Sequence, residues 1–184
     1  MEINIKWPQK NPVPVLTLDP EHFCREYMTE LKPGQISHIL DTYKEVNILY
    51  DDYRLDFSIK KNGVWWNYTI QAPKGMALNG SSVPAIGKAL VNEDYHNRAW
   101  IAHDLVYIFK GRKSIMKVGE PSEIKLEVPK LTRKEIDKVF IEVVKLTGAP
   151  KFQRWLAYTA IRLGGGFLWR KPFKPESIII VNPK

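Results

Sequence analysis

The sequence predicts an α+β domain, and three observations carry that reading. "LTRKEIDKVFIEVVKLTG", residues 131–148, repeats its apolar residues at helical spacing. "YRLDFSI" and "VWWNYTI" alternate apolar and polar residues on either side of Asn62-Gly63, a hairpin signal. The chain has 184 residues and one cysteine, so packing rather than disulfides must hold a single sizeable core.

Taken in order, residues 1–45 read as an N-terminal extension and residues 46–184 as an α+β core domain with a basic, aromatic tail. Residues 1–18 carry prolines at 8, 12 and 14 and read as an extended arm. Asp19 then offers an N-cap and Pro20 a first helical position. Phe23, Tyr27 and Leu31 share one face of that helix, which Pro33-Gly34 should end. "QISHILDTYKEV" suggests a second short helix, with Ile36, Ile39, Leu40 and Tyr43 on one side.

Residues 46–71 read as the β-hairpin, and residues 72–90 as a long irregular loop with two prolines and three glycines. "RAWIAHDLVYIF", residues 98–109, reads as a helix. A second small hairpin is expected at 114–128 around "GEPSE". Thr132 and Glu135 form a capping box, Ile136, Val139, Phe140, Val143, Val144 and Thr147 a buried stripe, and Gly148 a stop. A third main helix runs from about Pro150 to Leu163. Its expected buried face is Phe152, Trp155, Leu156, Thr159, Ala160 and Leu163, with "GGG" at 164–166 breaking it. "SIIIVN" reads as a last strand. The three main helices are expected to pack together beside the hairpins.

A net charge of +8 favours acidic partners such as nucleic acid, anionic lipid or an acidic protein surface. The densest basic and aromatic stretch is "FLWRKPFK", residues 167–174. Its Arg170, Lys171 and Lys174 are candidate binding residues, while the plainer and preferred reading of the stretch is a strap held onto the body by its aromatics. The first residues lack the basic and apolar regions of a signal peptide, and no apolar run reaches the length of a membrane span. The P-loop, dinucleotide-binding, zinc-protease and CxxC patterns are absent from the sequence.

The helix at 98–109 poses the functional question. His103 and Asp104 sit in an otherwise apolar run, and a buried carboxylate is costly unless it is paired or binds a metal. Asp137, one position round from the stripe of the capped helix, is the candidate partner of His103. A His–Asp pair fixes the imidazole tautomer and orients the ring, as a general base requires. The preferred reading is structural: the same residues can satisfy one another inside a polar core with no chemistry at all. Arg162 is a candidate for binding a phosphate or carboxylate, or for pairing with Asp137 or Asp104.

"ALNGSSVP", "AWIAHDLVY", "RKEIDKVF" and "WLAYTAIRLGGG" together resemble a phage-encoded family, domain of unknown function thirteen-fifty-three, over roughly residues 50–167. The chain departs from that pattern at two positions. Asn79 stands where the family has a loop aspartate, and Ile136 where it has alanine. The resemblance implies a phage protein, virion-associated or accessory, working with other virion proteins in the virion or the host cytoplasm.

The order of motifs is also similar, more loosely, to the phospholipase A2 of some viral capsid proteins. That likeness implies His103 as base, Asp137 as its orienting partner and Tyr107 beside them. It implies Ca²⁺ held by Asp104 with loop groups at Asn79 and Gly80. Three functions therefore stand as expectations: a phage protein with a structural or ligand-binding His/Asp/Asp centre, a calcium-dependent hydrolase of phospholipase A2 type, and a basic adaptor for nucleic acid or an acidic protein.

Overall fold

The computed structural model describes residues 1–6, 13–79, 93–109, 116–117, 123–124, 131–170 and 178–183. The fold is α+β, with helices set against antiparallel sheets. The strands are β1 (Ile3–Lys6), β2 (Val15–Leu18), β3 (Val46–Leu49), β4 (Tyr53–Lys61), β5 (Val64–Ala72), β6 (Met76–Asn79), β7 (Met116–Lys117), β8 (Glu123–Ile124) and β9 (Ile179–Ile180). The helices are α1 (Pro20–Glu26), α2 (Pro33–Thr42), α3 (Glu93–Phe109), α4 (Arg133–Leu146) and α5 (Lys151–Arg170).

One sheet has the order β1-β4-β5 and a second β2-β3-β6-β9, while β7 and β8 pair with each other. Asn62 and Gly63 both have positive φ, which a two-residue turn between right-twisted strands requires. The hairpin they close runs from Tyr53 to Ala72, with Tyr53 opposite Ala72 and Lys61 opposite Val64. Residues 46–49, expected as the start of that hairpin, instead form β3 and pair with β2 and β6 in the other sheet. β6 itself lies inside the stretch expected as irregular loop; residues 80–90 of that stretch fall outside the described residues.

Alternation along β4 and β5 turns Leu55, Phe57, Ile59, Tyr68 and Ile70 to one side, where they join α3, α4 and α5 in the larger core. The opposite side of the hairpin is polar: Ser58 donates to Asn67 at 2.6 Å, and Thr69 donates to Asp56 at 2.7 Å. A smaller core joins α1 and α2 to β3, β6 and β9 through Phe23, Tyr27, Ile39, Ile48 and Ile179.

Asp19 caps α1 by accepting from the amides of Glu21 and His22, and Pro20 opens the helix. That helix ends at Glu26, well before Pro33, which begins α2. Proline preset at a helix start costs no hydrogen bond, so Pro33 acts as an opener and not as a stop. Leu40, expected on the inner side of α2, is exposed, while Ile39 and Tyr43 are buried.

α4 forms as its capping box dictates, with Thr132 and Glu135 exchanging bonds, and Gly148 past its end has φ +91°. α5 corrects the sequence reading in two respects. It runs through Gly164–Gly166 without a break. It also buries Ala157 and Ile161, leaving Phe152 at 65%, Trp155 at 61% and Leu163 at 80% exposure. Ala157, Gly165 and Gly166 allow α5 to sit close to its neighbours, and Phe152, Trp155 and Leu163 are turned outward.

Candidate functional site

α3, α4 and α5 meet around one carboxylate. Asp137 is completely buried in the second turn of α4. Its Oδ1 accepts from the Tyr107 hydroxyl at 2.8 Å and lies 3.3 Å from His103 Nε2. Its Oδ2 accepts from Arg162 Nη1 at 2.7 Å and lies 3.6 Å from Arg133 Nε. The structure thus brings together His103, Tyr107, Asp137 and Arg162 of the sequence-predicted residues. A buried carboxylate is tolerable here because charged and hydroxyl donors surround it.

Helical spacing explains the arrangement. His103 and Tyr107 are four apart on α3, and their rings stack with centroids 4.0 Å apart. Phe140 of α4 meets His103 edge-on and packs against Trp100, so the imidazole is walled by aromatics. Arg133 lies one turn before Asp137 on α4. It donates through Nε to the Tyr107 hydroxyl at 2.9 Å, and through Nη2 to the carbonyls of Ile161 and Arg162 on α5. The arginine therefore ties all three helices to the same point.

Sequence reasoning did not place Arg133 in the centre, although its i,i+4 spacing to Asp137 is a readable signal. The triple glycine was also read only as a stop. A Cβ on Gly165 would come within 2.5 Å of the Tyr107 hydroxyl, and one on Gly166 within 2.9 Å of Arg133 Nη1. These two glycines let α5 press against the polar centre.

Electrostatics follow from the geometry. Burial works against a charged His103, but the carboxylates of Asp104 and Asp137 outweigh it and hold its pKa above the ordinary value. Burial would raise Asp137, yet its hydrogen bonds from His103, Arg162 and Tyr107 hold it below the usual carboxylate range. Tyr107 is pushed well up, first by burial and then by the Asp137 charge. The bond to Asp137 raises Arg162.

His103 Nδ1 is buried and has no hydrogen-bond partner among the described residues. Asp104 Oδ1 lies 3.8 Å away, beyond hydrogen-bond reach but close enough to act through its charge. Asp104 is buried and also raises the pKa of Tyr43, the buried residue that ends α2, after burial itself.

The remaining expected residues sit elsewhere. Asn79 ends β6, opposite Val46, and its amide nitrogen donates to the Thr42 carbonyl at 3.4 Å. Arg170 is exposed at the end of α5. Gly80, Lys171 and Lys174 fall outside the described residues. Among the described residues, no group of three His, Cys, Asp or Glu side chains is placed to hold a metal ion.

The family model described as "Protein of unknown function (DUF1353)" matches residues 55–161. The chain belongs to this family. The DUF1353 match holds His103, Asp104, Tyr107, Arg133 and Asp137, and it ends one residue before Arg162. No curated protein and no solved structure matches the chain.

Proposed function

We propose that His103 and Asp137 form a general-base dyad that activates water for hydrolysis of a carboxylic ester. The observation that carries this reading is the unequal treatment of the two imidazole nitrogens. Nε2 faces Asp137 at 3.3 Å, whereas the buried Nδ1 makes no hydrogen bond among the described residues and has only the Asp104 carboxylate near it, at 3.8 Å. A proton kept on Nε2 by Asp137 leaves the Nδ1 lone pair able to accept one from water.

In this scheme the water oxygen attacks the ester carbonyl carbon as His103 Nδ1 takes its proton. The ester C–O bond then breaks, and His103 returns the proton to the departing alkoxide. Asp137 orients the ring and offsets the imidazolium charge. Tyr107, Arg133 and Arg162 hold Asp137 still and touch no reacting atom.

The order His103, Asp104, Tyr107, Asp137 supports a reaction of phospholipase A2 type. Calcium fits the described residues poorly. Such an ion takes six to eight oxygens, and the expected set supplies one carboxylate, Asp104, together with Asn79, whose amide nitrogen is turned to Thr42. No step is therefore routed through a metal.

The test measures fatty-acid release from mixed phosphatidylglycerol and phosphatidylcholine vesicles, with and without added Ca²⁺. Wild type should release fatty acid, and a folded His103→Gln variant should not. Equal rates in the two proteins would overturn the dyad.

A second reading is favoured by the saturation of Asp137, which meets two guanidiniums, a hydroxyl and an imidazole. Such a centre can serve solely to lock three helices together, or to hold a ligand. It would then be the polar core of a phage accessory or virion protein, the setting that the family resemblance implies.

A further inference from the structure

We propose that the outward face of α5 binds the surface of an anionic phospholipid bilayer, with the helix lying flat on it. At 100° per residue, Phe152, Trp155, Thr159, Leu163 and Arg170 fall within an arc of about 80°. Phe152, Trp155 and Leu163 are the most exposed large apolar side chains among the described ones of this helix, and the first two stack with centroids 6.3 Å apart. The fold does not need them, because α5 is anchored by Ala157, Ile161 and Gly165 on its other side.

Charge identifies the occupant. The 20 residues of α5 include Lys151, Arg154, Arg162 and Arg170 and no acidic residue. Lys151 and Arg170 are exposed at its two ends, bracketing the apolar face. A second copy of the chain would set these cations against themselves, so self-association is disfavoured. An anionic lipid surface meets both requirements at once: headgroup phosphates for Lys151 and Arg170, and an acyl boundary for Phe152, Trp155 and Leu163. No described helix is long and apolar enough to cross a membrane, so the contact is one of lying on the surface. Trp155 suits the headgroup depth, where an aromatic ring with a polar edge is favoured.

The proposal stands apart from the hydrolytic reading, because its test reads binding and not turnover. The full chain is floated with vesicles of phosphatidylglycerol and phosphatidylcholine at physiological salt. Wild type should bind these far more tightly than vesicles of phosphatidylcholine alone. Phe152→Ser, Trp155→Ser and Leu163→Ser together should weaken binding at least tenfold with little change in thermal midpoint. Lys151→Gln with Arg170→Gln should weaken binding and flatten its salt dependence.

Brominated acyl chains should quench wild-type fluorescence measurably more than that of Trp155→Phe, a readout that does not depend on the triple variant folding. Equal quenching in the two proteins, or unchanged vesicle binding by the triple variant, would overturn the proposal in favour of diffuse attraction by the net charge. Concentration-dependent association of wild type that the triple variant loses, without vesicle binding, would overturn it in favour of a second copy. Preference for a nucleic-acid duplex over vesicles would overturn it in favour of the adaptor reading.

Discussion

Arg162 Nη1 reaches Asp137 Oδ2 at 2.7 Å, so α5 is held to α4 by a partly exposed guanidinium on a fully buried carboxylate. The other carboxylate oxygen faces Tyr107 and His103 of α3. One side chain therefore receives bonds from both neighbouring helices.

Asp137→Asn should cost about 3 kcal/mol, because it removes the charge that two guanidiniums were arranged around. Arg162→Gln should cost less, since the arginine is partly solvated while Tyr107, His103 and Arg133 still serve the carboxylate. The double variant should lose less than the sum of the two. Urea denaturation of the four proteins gives the coupling directly, and strict additivity would show that the pair contributes nothing of its own.

Gly165→Ala should destabilise by about 1–3 kcal/mol, as overpacking does, despite the better helix propensity of alanine. The new Cβ would meet the Tyr107 hydroxyl at 2.5 Å and the ring carbons behind it at 3.0 and 3.1 Å. Tyr107→Phe removes the nearest atom but also a donor to Asp137, so the double variant should lose less than the sum of the two single changes. Gly166→Ala should be milder, since its Cβ meets only the far end of the Arg133 side chain. Thermal midpoints of these variants should fall in that order.

Gly63→Ala isolates a backbone effect. Its φ is +80°, and nothing lies within 4 Å of the added Cβ. The cost should be about 1 kcal/mol, from the left-handed conformation alone. A loss several times larger would mean that the hairpin register had shifted.

Stability should depend on pH through two groups acting in opposite directions. His103 has a raised pKa in the fold, so its contribution is complete below its unfolded value of about 6.5 and fades as pH rises through the folded value. Asp137 has a lowered pKa, so its contribution is present above its unfolded value of about 3.9 and fades as pH falls through the folded value. Denaturation midpoints across pH should show both limbs. His103→Gln should remove the alkaline limb and Asp137→Asn the acid one. Ester hydrolysis by the dyad should rise over the same alkaline range, because the working base is neutral imidazole.

Local chemistry in the sequence determined much of this protein. The box of Thr132 and Glu135, the Asp19-Pro20 start, and the Asn62-Gly63 turn each act within a few residues, so they could be read without a partner in view. The apolar helix carrying His103, Asp104 and Tyr107 was equally legible, as was Asp137 near the inner stripe of α4. Tertiary structure decided the rest. A helix with apolar residues around much of its circumference does not reveal which side it buries; α5 buries the side of Ala157, Ile161 and Gly165, where Tyr107 and Arg133 leave no room for a Cβ at Gly165 and little at Gly166. Residues 46–49 run up to the hairpin as an extended apolar stretch, yet their partners lie in β2 and β6, distant in sequence. The i,i+4 spacing of Arg133 to Asp137 is written in the sequence, but Arg133 became the tie between three helices only when packing brought the Ile161 and Arg162 carbonyls of α5 within reach.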